Sequence, residues 1–119
     1  MNLNQWARAV HENAKAHGWW ETERPFAEVV ALCHSELSEA LEEYRRTGDV
    51  RRVEYDLEAA QREGITTMGK PEGVPVELVD CLIRILDCCG AYGIDVESVM
   101  VDKHQYNKLR PYRHGGKKA

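Results

Sequence analysis

The stretch from Val76 to Cys89 constrains this chain most, because Leu78, Val79, Cys81, Leu82, Ile83, Ile85, Leu86 and Cys88 surround it with apolar surface on nearly every side. As a helix it has almost no solvated face, so other elements must cover it. Its polar residues are Glu77, Asp80, Arg84 and Asp87. On a wheel of about 100° per residue these collect in a sector roughly 80° wide. The pattern predicts a buried helix with one acidic stripe. Desolvating an unpaired carboxylate costs on the order of several kcal/mol, so the stripe needs partners or a bound cation. Arg84 offers one partner within the helix, one turn from both Asp80 and Asp87.

A second segment has its own periodicity. Phe26, Val29, Val30, Cys33, Leu37, Ala40, Leu41 and Tyr44 follow i, i+3, i+4, i+7 spacing, and Pro25 suits the first turn of the helix they define. Glu36 and Glu39 stand three apart at the edge of this apolar seam, with Glu43 one turn further on. Two helices that each present an acidic pair at i, i+3 would bring four carboxylates together if they pack side by side. Such a group repels itself unless cations sit within it. Hard oxygen ligands of this kind suit Mg²⁺ or Mn²⁺. A di-iron carboxylate bundle needs Glu-x-x-His motifs, and neither Glu36 nor Glu77 has a histidine three residues later. His34 adjoins the pair but falls on another side of its helix, as a surface or packing residue.

The remaining elements complete an all-α helical bundle of about four main helices. Trp6, Ala9, Val10 and Ala14 predict a helix from about Asn4 to His17, with Gly18 as its stop. Pro75 opens the acidic-stripe helix, which ends near Gly90 or Gly93. A last helix starts after Asp95, a good N-cap, and runs to about Leu109 before Pro111 stops it. Residues 47–73 are charged and glycine-containing, with a weak helical signal only from Val53 to Arg62. They read as a long connector, either a flap over a site or a segment that packs on a second subunit. No alternating pattern supports a sheet.

At 119 residues, 43% hydrophobic and 30% charged, the chain has the size and composition of one globular domain, here residues 1–110, followed by a basic tail over residues 111–119. A core of this size is modest, which favours association with a second copy. The amino terminus has no apolar secretory core, and no run reaches the length of a membrane span. Cys33, Cys81, Cys88 and Cys89 lie inside apolar helical patterns without CxxC spacing, and so read as buried reduced thiols of a cytoplasmic protein. All 20 acidic residues lie at or before Asp102, and six basic residues follow it. An acidic body opposes nucleic-acid binding, because phosphate contacts need a continuous basic face.

Three segments in order, ELSEALEE at Glu36–Glu43, ELVDCLIRILD at Glu77–Asp87 and KHQYNKLRPYRHGGK at Lys103–Lys117, carry a resemblance. The chain resembles the MazG-like all-α nucleoside triphosphate pyrophosphohydrolases over roughly His11 to Lys117. The resemblance implies that Glu36, Glu39, Glu77 and Asp80 hold Mg²⁺, or Mn²⁺ in its place. It also implies that Lys103, Asn107 and Arg110 face the triphosphate, and their i, i+4, i+7 spacing places them on one helix face. His11 and Trp20 fall where some pyrimidine-directed members have a histidine and a stacking tryptophan, Trp19 is an adjacent alternative, and all three tryptophans could equally cover the end of the bundle. The implied reaction cleaves a nucleoside triphosphate between the α- and β-phosphates, with Glu39 or Glu36 as catalytic carboxylate. Members associate as homodimers or homotetramers, so that two subunits complete each four-helix core.

The chain departs from those pyrimidine-directed members after the second glutamate, where Tyr44 is followed by Arg45 and Arg46 instead of another aromatic, and its connector is longer than in compact members. A different class of function also fits the helices, a non-catalytic nucleotide-binding or regulatory module. Four converging acids have no evident use in such a module.

Overall fold

The computed structural model describes residues 1–118 of the chain. Helix α1 spans Leu3–Ala16, α2 Phe26–Thr47, α3 Leu57–Arg62, α4 Val74–Tyr92 and α5 Val96–Leu109, and a single turn, α6, covers Arg113–Gly116. Two three-residue strands, β1 at Glu54–Asp56 and β2 at Lys70–Glu72, interrupt the connector. The protein is thus mostly helical, as its periodicity predicts.

Local chemistry sets the helix ends. Asn2 caps α1 in a reciprocal box, accepting from the Gln5 backbone N–H at 2.8 Å while the Gln5 side chain accepts from the Asn2 N–H at 2.7 Å. Asp95 caps α5 by accepting from the Ser98 N–H at 3.1 Å, as expected of it. Pro25 lies just outside α2, and Pro75 sits in the first turn of α4, where a missing N–H costs nothing.

Gly90 does not end α4, which continues to Tyr92 before the Gly93 cap. Its role is tertiary: a Cβ there would stand 2.6 Å from the Ala7 carbonyl oxygen and 2.7 Å from the His11 Cβ. The missing side chain lets α1 approach α4 closely, and of the two glycines expected near the helix end it is Gly93 that stops α4.

The connector also departs from expectation. It contains a small antiparallel sheet, with Tyr55 opposite Pro71, and a six-residue helix capped by Asp56. Three-residue strands are too short to show alternation. What closes them is the turn into α4, where Gly73 adopts φ +127° and a Cβ would stand 2.2 Å from the Arg52 carbonyl oxygen. A chain of ion pairs, Arg46 with Glu43 and Glu54 and Arg52 with Glu54, ties β1 to the end of α2.

Packing is dominated by α4, which lies between α2 and α1. Along α4 the neighbours on α2 run backwards, Glu77 beside Glu39, Cys81 against the Cys33 carbonyl and Asp87 near Val29, so these two helices are antiparallel. The core is small: Ala7, Val29, Ala40, Val74, Cys81, Leu86 and Cys88 are buried at these contacts, and Ala60 of α3 is buried within the connector. The expectation that α4 is buried all round is not met within one chain. Leu78, Leu82 and Ile85 on α4 remain 49%, 44% and 45% exposed, because α1 and α2 cover only two of its sides.

On α2, Val30, Leu37, Leu41 and Tyr44 form a second exposed stripe. In both helices the stripe lies roughly 40–140° further round than the residues at the seam, at about 100° per residue. For antiparallel helices that rotation carries both stripes to the same flank, opposite the acids. Among the described residues, no helix is long and apolar enough to cross a membrane. The four cysteines are free, Cys81 and Cys88 buried and Cys33 and Cys89 half-buried, and burial pushes the thiols of Cys33, Cys88 and Cys89 up.

Candidate metal centre

The antiparallel seam brings the two acidic pairs face to face. Glu36, Glu39 and Glu77 each place one carboxylate oxygen so that all three lie within 4.8 Å of one another. Glu36 is buried, Glu39 exposed and Glu77 half-buried, so the group descends from the seam outward to solvent. Asp80, the fourth predicted ligand, adjoins this group on α4 and borders a cavity together with Glu36.

Two carboxylate oxygens in the group are orphaned. Glu36 Oε2 and Glu77 Oε2 are buried and have no hydrogen-bond partner among the described residues. A buried acceptor without a donor costs about 1–3 kcal/mol, and more when it carries charge. The electrostatics register the crowding. Burial and then the neighbouring Glu39 carboxyl push Glu77 from 4.5 up to about 7. Asp80 is also raised, first by burial and then by the charge of Glu36, with Arg84 acting in the opposite direction. Three or four acids in this state suit a hard cation, which would supply the positive charge that the orphaned oxygens lack.

Arg84 does not pair with Asp80 or Asp87 along its own helix. Its Nε donates across the seam to Glu36 Oε1 at 2.8 Å. Asp87 is engaged elsewhere: His11 Nδ1 lies 2.8 Å from Oδ1, and Trp20 Nε1 donates to Oδ1 and Oδ2 at 3.0 and 3.1 Å. The His11 and Trp20 rings meet edge to face at 5.3 Å. Asp87 thus ties α1 and the turn after it to α4. His11 and Trp20 stand together beside the acidic helix, held by a carboxylate.

A cavity of about 550 Å³ opens here, lined by Trp6, Trp19, Arg24, Glu36, Asp80 and Arg84 among others. That is the size of a small-molecule cleft. Arg24 lies over both indoles, 5.6 Å from the Trp19 centroid and 5.5 Å from that of Trp20. The sequence offers no signal for this arginine, which sits in a non-periodic loop. On the other side of the acids, Glu39, Glu42, Glu43, Arg46 and Glu77 line a more open cavity of about 410 Å³.

The three predicted phosphate-facing residues lie apart from the acids in this chain. Lys103 and Asn107 are on α5, whereas Arg110 is its C-cap in extended backbone and so leaves the helical face expected of the three; Lys103 and Arg110 flank the Tyr106 ring at 5.2 and 5.9 Å. Helix α5 buries no residue and leans on α1, where Glu97 accepts from the Leu3 N–H and Asp95 from the Asn4 side chain. Neither cavity beside the acids includes an α5 residue. Comparison of the chain with protein-family models, with curated proteins and with solved structures finds no match to any of them.

Proposed function

We propose that this protein is a Mg²⁺-dependent nucleoside triphosphate pyrophosphohydrolase of MazG-like type, cleaving between the α- and β-phosphates to release the monophosphate and pyrophosphate. The observation that carries the reading is the convergence of Glu36, Glu39 and Glu77 from two antiparallel helices, with two buried carboxylate oxygens left without donors. With Asp80 beside them, these residues would hold Mg²⁺ or Mn²⁺. When bound, the ion supplies Lewis acidity toward phosphate oxygens and toward water.

The chain's own residues supply the rest. Glu39, the exposed member of the α2 pair, accepts a proton from the attacking water, and buried Glu36 shapes the site behind it. Asp87 lines the 550 Å³ cavity and clamps His11 and Trp20 beside it, while Trp19 and Arg24 line the cavity itself and would meet the base and the substrate's negative charge. Lys103, Asn107 and Arg110 meet the triphosphate and stabilise its transition-state charge. In one chain α5 lies against α1, so this contact forms in a homodimer or homotetramer. The shared apolar flank of α2 and α4 supports such an assembly, because contiguous exposed apolar surface is costly to leave in water. The free thiols agree with a cytoplasmic setting.

The test is a pyrophosphate-release screen over standard and damaged nucleoside triphosphates with Mg²⁺. Release from at least one substrate is expected, with Glu39→Gln reducing turnover at least 100-fold. No release from any substrate, or unchanged turnover in Glu39→Gln, overturns the proposal. The separation of α5 from the acids favours one other reading, a nucleotide-binding module without chemistry. Tight nucleotide binding by calorimetry in the absence of turnover would select it.

A further inference from the structure

Glu36 has two oxygens in different states, one bonded to Arg84 and one buried without a donor. Arg84 donates a hydrogen bond to neither Asp80 nor Asp87 of its own helix: its charge acts on Asp80 without a bond, and Asp87 is occupied by His11 and Trp20. We infer that Arg84 is a positioning residue for the acidic centre: it takes Oε1 of Glu36 and so presents Oε2 alone, as a single-oxygen ligand for a divalent cation. The inference rests on the metal reading proposed above and assigns a task to a residue which that reading leaves idle.

Two effects of the guanidinium oppose each other. Its positive charge disfavours a cation nearby, while its N–H fixes the carboxylate. The side chain of Arg84 is 36% exposed and that of Glu36 only 10%. Water therefore screens much of the charge, whereas the orientation of an enclosed carboxylate is set by the one donor among the described residues that reaches it. Removing that donor leaves both oxygens of Glu36 unpartnered and free to turn away. Partners that orient metal-ligating groups typically contribute about 10- to 100-fold in metal affinity.

The bond comes from Nε, which suggests two informative substitutions. Glutamine places its amide nitrogen at the same distance along the side chain, and methionine places a methyl group there. Both are neutral, so they differ chiefly in the donor. Calorimetric titration of Mn²⁺ into the full chain, stripped with EDTA, should give a Kd about 10-fold weaker for Arg84→Met than for wild type. Arg84→Gln should stay within about 3-fold of wild type, because its N–H still reaches Glu36. Arg84→Leu also lacks a donor and replaces the methionine variant if circular dichroism shows that the latter is unfolded.

Binding by the donor-less variant as tight as wild type, or tighter, would mean that charge prevails over positioning and would overturn the inference. Equal losses in the glutamine and methionine variants would overturn it as well. Absence of Mn²⁺ binding by the wild-type chain would instead remove the metal reading itself, and this assignment with it.

Discussion

Glu77 makes the stability of the metal-free protein depend on pH in an unusual direction. Burial and the adjacent Glu39 raise it from 4.5 to about 7, so the folded chain holds this proton more tightly than the unfolded chain. The associated stability is fully present below about 4.5 and is lost as pH rises through about 7. At full strength the difference amounts to about 3 kcal/mol. Glu77 is only half-buried, and solvent screening reduces the working figure to about 1–2 kcal/mol. In a domain of this size that corresponds to a melting shift of roughly 4–8 °C.

The assay is thermal unfolding by circular dichroism in EDTA from pH 5 to pH 8, at fixed protein concentration, with Glu77→Gln alongside. Other groups titrate in both proteins, so the difference in Tm isolates Glu77. Wild type minus variant should fall by roughly 4–8 °C between pH 5 and pH 8, and saturating Mg²⁺ should restore the wild type at pH 8 but not the variant. A difference that is flat or rises with pH would refute the electrostatic account of the cluster.

Gly90→Ala gains about 1 kcal/mol of helix propensity. It also drives a methyl to 2.6 Å from a backbone oxygen of α1 that cannot turn aside. Overpacking of about 1–3 kcal/mol should prevail, lowering the urea midpoint, and a stabilised variant would show that α1 does not seat against Gly90. Leu82→Glu places a charge in the exposed flank shared by α2 and α4. Sedimentation should show it shifted toward the 13.6 kDa monomer relative to wild type, and an unchanged distribution would remove that flank from the subunit contact.

Much of the candidate site was legible because helical spacing converts sequence distance into direction. Glu36 with Glu39, and Glu77 with Asp80, each fall on one face by arithmetic alone. The apolar seams of α2 and α4 imply that these faces meet, and Glu36, Glu39 and Glu77 do come together, with Asp80 outside that group of three. The partner of Arg84 was not legible. Asp80, Asp87 and Glu36 are all chemically suitable, and only the stagger of the two helices selects Glu36. The engagement of His11 and Trp20 with Asp87 was likewise hidden, since the three residues are brought together by the close approach of α1 to α4 at Gly90.

Residue spacing alone specifies the long helices, the cap at Asp95 and the acidic pair on each of α2 and α4, because each depends on residues within a few turns of one another. Tertiary structure alone decided the β1–β2 pairing, the passage of α4 through Gly90, the exposed apolar flank and the division of Glu36 between Arg84 and an open oxygen. Those features depend on how far apart helix axes lie and how they are staggered, and the packing of distant side chains sets both.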